Sequence, residues 1–295
     1  MSSAKKLVLD SNPPATAEMV DILTEKALPR SHYDFYANKM YEYSGVSLPF
    51  SSKNEALVKN RLTKLMRIRK ITSFVELRKL MEEPDAALKN DFISALTTNK
   101  THFFREDAHF DFLKDFFRNH FKNHSDLRIW CAAASTGQEP YTIAMLMREN
   151  LSEDKFANCK FLATDIDLQV LAKAAKGEYL ANELDGLPDY LRVKYFERIK
   201  GAKEDVFRAT DAITSLVRFA PMNLIQSDFG FKYQFDIVFC RNVLIYFDAA
   251  TTKEVIQHLA NVIKKDGYLV LGHSESGTVK IPQLKALTRA IYQRI

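Results

Sequence analysis

Cysteine is scarce in this chain: Cys131, Cys159 and Cys240 are all there are in 295 residues. Three unevenly spaced thiols exclude a disulfide framework and give no zinc-ligand spacing, so no metal site is expected and a reducing compartment is. No run of 18 or more apolar residues occurs, which excludes membrane insertion through a spanning helix. The opening MSSAKKLVLDSNPPATAEMV lacks the continuous apolar stretch of a secretory leader, so the expected location is cytoplasmic. Glycine is sparse as well. Nine are present and no two stand in a Gly-x-Gly pair, so the dinucleotide fingerprint is absent and pyrophosphate binding is not implied. The net charge of +5 is a modest excess; it permits an acidic partner without demanding nucleic acid.

What is there divides into three parts. Residues 1–30 are rich in Ser, Pro, Lys and Ala, and Pro13-Pro14 blocks regular structure, so a flexible N-terminal extension is expected. Residues 31–96 read as helices only. The Tyr33–Met40 stretch has helical spacing and ends at Ser44-Gly45. Ser51-Ser52 can cap a second helix through Ile68, with Val58, Leu62, Leu65 and Met66 as its apolar stripe. Two short helices follow, at 73–81 and 85–96, split by Pro84. From 97 to 295 the pattern changes to α/β. Apolar runs at Arg128–Ala133, Cys159–Thr164, Phe235–Cys240 and Gly267–Leu271 suit buried parallel strands. They alternate with helices at 140–150, 168–176 and 251–264, and so predict a doubly wound sheet. The long stretch 181–223 reads as a helix plus a small antiparallel β insertion, carried by the runs Val206–Thr210 and Ser215–Phe219.

Open α/β sheets take ligands at the carboxyl ends of their strands. The first such end, Ala132-Ala133-Ala134-Ser135-Thr136-Gly137-Gln138-Glu139-Pro140, is a turn of small residues that lets a ligand approach the backbone. The second is Thr164-Asp165-Ile166-Asp167. Asp165 stands where ribose hydroxyls find an acceptor, whereas Asp167 suits a helix N-cap. The third, Arg241-Asn242, puts polar groups directly behind an apolar strand, with Tyr246 shortly after as either a functional or a buried structural tyrosine. Asn223 closes the insertion toward the same rim. Ahead of the sheet, Thr97–Arg105 interleaves Asn99, Thr101 and Arg105 with Phe103 and Phe104, the pattern of a ligand lid.

The stretches TTNKTHFFRE, RIWCAAASTGQEPYTIAM, FLATDID, FAPMNL and FCRNVLIYFD, in that order, resemble the chemotaxis-receptor glutamate methyltransferase family, CheR. The resemblance covers roughly residues 31 to 295 and is specific, because five stretches fall in sequence at compatible spacing. It implies a Rossmann-like S-adenosylmethionine-dependent methyltransferase domain with a small antiparallel subdomain, preceded by a small all-α domain. It implies that Asn99, Thr101, Arg105, Glu139, Asp165, Asn223, Leu224, Arg241 and Asn242 contact S-adenosylmethionine, with Arg105 and Tyr246 beside the reacting methyl group. The implied activity is that of a protein-glutamate O-methyltransferase, which esterifies receptor side chains and leaves S-adenosylhomocysteine. Two places depart from the family pattern. Gln138 stands where an acidic residue is frequent. The stretch Arg198–Glu204 has a single glycine where receptor-tethered members carry a glycine-rich loop, which argues against tethering through a receptor's C-terminal peptide.

The second helix is basic: Lys59, Lys64, Arg67 and Lys70 lie broadly opposite its apolar stripe, either as a solvated face or as a docking surface for methyl-accepting chemotaxis receptors. Two other functions compete. A nucleic-acid methyltransferase suits the basic helix, but the place of its Asn/Asp-Pro-Pro-aromatic tetrapeptide reads Arg-Asn-Val-Leu here, and no stacking platform for bases stands out. A non-catalytic sensor of S-adenosylmethionine would not need both Arg105 and Tyr246.

Overall fold

The computed structural model describes residues 28–120, 126–201, 204–277 and 280–295. The expected N-terminal extension therefore lies almost wholly outside the described residues, as do two positions of the Arg198–Glu204 stretch. Contacts divide the chain into two units. One comprises the described residues up to Tyr36 together with Pro49–Ala95; the other comprises Ala37–Leu48 and Leu96–Ile295. This division differs from a simple cut at 96/97, because the second half of the first helix, α1 (Arg30–Ser44), makes its contacts in the larger unit.

The smaller unit is helical. Helix α2 (Ser52–Arg69) starts where the Ser51 hydroxyl accepts the Asn54 N–H at 3.1 Å. It buries Val58, Leu62, Leu65 and Met66, the stripe expected from the sequence, and stops at Lys70 in the left-handed conformation. Ser73 caps α3 (Phe74–Glu82) in the same way, and Asp85 accepts the Leu88 N–H at 2.6 Å to start α4 (Ala86–Leu96). The Tyr36 hydroxyl, buried among these helices, donates to the Phe74 carbonyl at 2.8 Å.

The larger unit follows with α5 (Ala108–Asp115), a π turn, β1 (Leu127–Cys131), α6 (Gln138–Asn150), the short α7 (Glu153–Phe156), β2 (Cys159–Asp165) and α8 (Leu168–Lys176). Next come β3 (Glu178–Leu180), α9 (Asp189–Tyr195), β4 (Phe196–Arg198), β5 (Val206–Ala209), α10 (Asp211–Thr214) and β6 (Val217–Pro221). The chain finishes with β7 (Phe235–Cys240), α11 (Ala249–Asn261), β8 (Ile263–Leu271), β9 (Leu284–Thr288) and β10 (Ile291–Arg294). Seven strands form one sheet in the order β6-β2-β1-β7-β8-β10-β9. The first five are parallel, and β10 runs antiparallel to both of its neighbours. Period-2 alternation assigns the two faces. Ile129, Phe161, Ile237 and Val270 pack against α6 on one side, while Trp130, Val238 and Leu269 pack against Val255, Ile256 and Leu259 of α11 on the other.

Three points of the sequence reading change. Val217–Pro221 is not part of the antiparallel insertion: it pairs in parallel register with β2, Phe161 opposite Val217, as the edge strand of the main sheet. The insertion is instead the small sheet β3-β5-β4. An exposed edge strand is half polar, so the period of Ser215–Phe219 could not separate the two sheets. The helix expected over 251–264 ends at Asn261, and Ile263 already belongs to β8, because a buried Ile at the end of an apolar helical stripe also satisfies a strand. The hairpin β9–β10 is absent from the sequence reading; its strands are short, and Lys285, Gln293 and Arg294 interrupt their apolar residues. Among the described residues, no helix is long and apolar enough to cross a membrane.

Candidate functional site

The carboxyl ends of β1, β2 and β7 converge where the strand order reverses between β1 and its two neighbours. Beyond Cys131, three alanines bring the chain to Ser135, which takes a left-handed φ of 49°. Gly137, at φ 97°, then delivers it to α6. A Cβ at Gly137 would stand 2.7 Å from the Tyr179 hydroxyl oxygen and 3.0 Å from the Ala174 Cβ, so only glycine fits. Tyr179 in turn donates to the Thr136 carbonyl at 2.8 Å, so the inserted sheet braces this turn. Pro140 falls in the first turn of α6, where its missing N–H would have no intrahelical acceptor. We expect Gly137→Ala to cost about 2 kcal/mol or more from the positive φ and the overlap together. Thermal unfolding checks this, and a melting temperature equal to that of the parent would dismiss the close-packed turn.

Asp165 ends β2 and is half-buried. Its Oδ2 accepts the Ser135 N–H at 2.8 Å and its Oδ1 the Asp167 N–H at 3.0 Å. Burial nevertheless pushes its carboxyl up to about 6, with the charge of Asp167 adding to the shift and the two N–H groups opposing it. Asp167 is the N-cap of α8, as expected, accepting from Gln169 N–H at 2.9 Å. Its second oxygen holds the lid: the Asn99 amide donates at 2.8 Å and the Thr97 hydroxyl at 3.0 Å. The Asn99 carbonyl takes the Ser135 hydroxyl at 3.1 Å. Asn99 is thus engaged in fastening the lid to β1 and α8. Thr101 and Arg105 line a cavity of about 640 Å³ with Lys100, Gln138 and Lys173. The Arg105 guanidinium is held at 3.0 Å to the Lys100 carbonyl.

The centre of the rim is a buried charge network. The Arg241 side chain is fully buried and pairs with Glu139; it also lies 3.3 Å from Glu106 and donates to the Arg105 carbonyl. Glu139 further accepts from the Cys131 thiol at 3.2 Å. Glu106 accepts from the Asn242 amide at 3.2 Å and the His273 N–H at 3.1 Å. Burial would raise the Glu106 carboxyl, but these hydrogen bonds and the Arg241 charge outweigh it and hold it below the usual carboxylate range. Glu275, almost fully buried, accepts the backbone N–H groups of Asn242 at 2.9 Å, Leu244 at 2.8 Å and Gly272 at 2.7 Å, and so fixes the bend after β7. Burial still leaves its carboxyl raised. Asn242 sits at φ 58°. Phe104, Glu106, Ser135 and Asn242 are four of the seven non-glycine residues with positive φ among the described residues. Such clustering of unfavourable backbone marks a functional rim.

The remaining expected residues lie around this centre. The Asn223 amide donates to the Tyr43 carbonyl at 2.8 Å, and Leu224 is buried beside it. Tyr246, in a single turn after Asn242, is half-buried; its carbonyl accepts the Ser47 N–H at 2.8 Å. Sequence reading missed Glu106, His109, His273 and Glu275. His273-Ser274-Glu275 directly follows the apolar end of β8, the same signal that singled out Arg241-Asn242, so Glu275 was within reach. Glu106, His109 and His273 offer donor atoms within 4.8 Å of one another. The Arg241 guanidinium, 3.3 Å from Glu106, already supplies the positive charge there.

The rim can be tested against an adenosine cofactor. Asp165 supplies an acceptor carboxylate at the end of β2, and Ala132–Ala134 leave the floor beside it free of long side chains. Ala133, Ser135 and Glu139 are partly open at the mouth. These residues fit S-adenosylmethionine. With a parallel doubly wound sheet closed by an antiparallel strand, they define an S-adenosylmethionine-dependent methyltransferase. Comparison with known proteins narrows the class. The family description "CheR methyltransferase, SAM binding domain" matches residues 99–290, and "CheR methyltransferase, all-alpha domain" matches residues 31–97. The chemotaxis protein methyltransferase of Escherichia coli K12 is 36% identical over 262 residues, 88% of this chain and 90% of that one. That of Borreliella burgdorferi is 35% identical over 79% of this chain and 84% of its own, and that of Salmonella typhimurium 33% over 94% of each. The chain belongs to the CheR methyltransferase family.

Proposed function

We propose that the protein methylates glutamate side chains of chemotaxis receptors, forming γ-glutamyl methyl esters, in the cytoplasm. When bound, S-adenosylmethionine supplies a methyl group on a sulfonium sulfur. The Asp165 carboxylate would accept from its ribose hydroxyls. Asn99 and Thr101 would close over it as the lid, while Glu139, Asn223, Leu224, Arg241 and Asn242 shape the pocket between the strand ends. A solvated glutamate has a pKa near ~4.3, so the substrate arrives ionised and no base has to remove a proton. What the protein contributes is alignment and the exclusion of water. Arg105 and Tyr246 are assigned to orienting the incoming carboxylate.

The observation that carries this reading is the setting of Arg105. Its side chain lines the 640 Å³ cavity and donates to the Lys100 carbonyl, while its own carbonyl is held by the buried Arg241, which anchors Arg105 beside the Glu106–Arg241–Glu139 network. The test uses methyl-labelled S-adenosylmethionine and membranes bearing chemoreceptors, followed by mild alkali. Label on the receptor that is released as methanol supports an ester; base-stable label would sink the substrate assignment. Arg105→Ala is expected to lower turnover by about 10²-fold or more, the loss of one charged orienting contact. Near-normal turnover in that variant would remove Arg105 from the mechanism.

Helix α2 is assigned to docking. Lys64, Arg67 and Lys70 are exposed and Lys59 is half-buried, with Ile68, 68% exposed, between them. Charge and one apolar contact together suit an acidic receptor helix. Lys64→Glu with Arg67→Glu should lower kcat/KM on receptors about tenfold and leave cofactor affinity unchanged. Methylation by the parent should weaken with salt, the Debye length being roughly 10 Å at 0.1 M. Unchanged kcat/KM in the double variant would assign the face to solvent.

A further inference from the structure

The end of the sheet opposite the cofactor rim carries a second concavity. The connection from β6 to β7, residues 222–234, contains no helix, although it must pass from the edge strand across β2 and β1. Helix α11 covers that face over β7 and β8. Over β1 it is covered by Phe229, Phe231 and Phe235, whose rings lie 5.0, 5.0 and 5.5 Å from that of Trp130. Over the starts of β2 and β6 a groove of about 830 Å³ remains.

Its chemistry is one-sided. Arg128, Lys160, Arg218 and Lys232 line it, and no carboxylate does. Register explains the grouping: Arg128 stands opposite Lys160, and Leu162, two residues on from Lys160, stands opposite Arg218. All of these side chains therefore emerge on one face. Arg128 is paired with Asp126 at 2.7 Å, and its guanidinium lies 4.5 Å from the Tyr233 ring centre. Lys160, Arg218 and Lys232 are exposed and have no ion-pair partner among the described residues. Tyr233, 66% exposed, and Phe231 form an aromatic wall beside them.

Three unpaired like charges gathered in one groove attract one polyanion more strongly than separate anions. A span of two residues along one strand and one strand across puts the Lys160 and Arg218 Cα atoms roughly 8 Å apart, within reach of adjacent phosphates through their long side chains. The volume lies in the range of small-molecule sites, and aromatic faces next to cations suit a base next to phosphates. We propose that this groove binds a nucleoside polyphosphate, with its phosphates on Lys160, Arg218 and Lys232 and its base against Tyr233 and Phe231. This site is separate from the rim that takes S-adenosylmethionine.

The test is equilibrium dialysis of the full chain with guanosine triphosphate, in EDTA and with saturating S-adenosylhomocysteine so that the rim is filled. Saturable one-to-one binding below 1 mM is expected. Lys160→Glu with Arg218→Glu, both at exposed positions, should weaken it at least tenfold, and Tyr233→Ala about fivefold. A circular-dichroism melt would establish that each variant is folded. Absence of saturation, displacement by S-adenosylhomocysteine, or equal binding in the double variant overturns the proposal. So does inorganic triphosphate binding as tightly as the nucleotide, since the aromatic wall would then play no part. Capture of hexaglutamate through the same residues without any nucleotide binding would give the groove to an acidic protein partner and overturn it too.

Discussion

Arg241→Ala is expected to lose about 3–5 kcal/mol of folding stability, the largest effect of any single substitution considered for this chain. The guanidinium is fully buried, with Glu139 on one side and Glu106 on the other. Removing it leaves two carboxylates facing each other across an apolar gap under Phe110, whose ring centre is 5.4 Å from the guanidinium carbon. The Glu106 and Glu139 side chains are only 17% and 12% exposed, too little to hydrate two neighbouring carboxylates fully. Cofactor binding should be lost as well, since Glu106 also holds Asn242 and His273. Arg241→Ala combined with Glu106→Gln and Glu139→Gln should recover part of the stability, because the unpaired charges go with the cation. Urea unfolding measures both. A single variant within 1 kcal/mol of the parent would mean that the network contributes little.

The second large effect concerns Asp165. Its folded pKa near 6 lies above the value of about 3.9 for an unfolded aspartate. Between roughly pH 4 and pH 6 the folded protein holds a proton that the unfolded chain has released. The Asp165 contribution to stability therefore falls as pH rises through that window, by about 2–3 kcal/mol, and is at its higher level below it; buried His109, whose pKa burial lowers to about 4, contributes in the opposite sense. Cofactor affinity should run the other way. Ribose hydroxyls donate to the ionised carboxylate, so binding is tightest above pH 6 and weakens as Asp165 takes up its proton. Asp165→Asn removes the ionisation penalty but leaves one oxygen for two N–H donors, Ser135 and Asp167, a loss of about 1–3 kcal/mol. The two terms nearly cancel, so the variant should unfold close to the parent at pH 7. Its affinity for S-adenosylmethionine should fall about 10²-fold, by the loss of charge-assisted hydrogen bonds. Relative to the parent, its stability should also rise with pH between pH 4 and pH 6, because the Asp165 contribution is gone. Calorimetric titration and pH-dependent unfolding check the three expectations, and undiminished affinity would take Asp165 out of the pocket.

Much of this was legible in the residues. The four core strands follow from short apolar runs, and α2 from its stripe and Ser51 cap. Asp165 and Asp167 separate by position, one at the strand end and the other at the helix cap. Other features were not legible because they arise only from pairing. Val217–Pro221 has the composition of an edge strand in either sheet, and only its parallel partner Phe161–Asp165 decides which. Arg241 reads as a ligand candidate from its place behind β7, but its guanidinium turns inward because Glu106, 135 positions earlier in the sequence, and Glu139 meet it there. Asn99 likewise reads as a free polar tip and is found binding the cap of α8.

The pairing of β1 with β7, Ile129 beside Ile237, has a consequence in time. The two strands that frame the rim are separated by the whole inserted subdomain, and such long-range parallel pairing forms slowly. On the ribosome, β1 cannot gain this neighbour until residues beyond 240 have emerged from the exit tunnel. The turn at Gly137 and the bend at Asn242 are therefore completed together and late. A growing chain shorter than this should not capture the cofactor, and S-adenosylmethionine should act as a ligand that seals a finished sheet rather than as a template for its assembly.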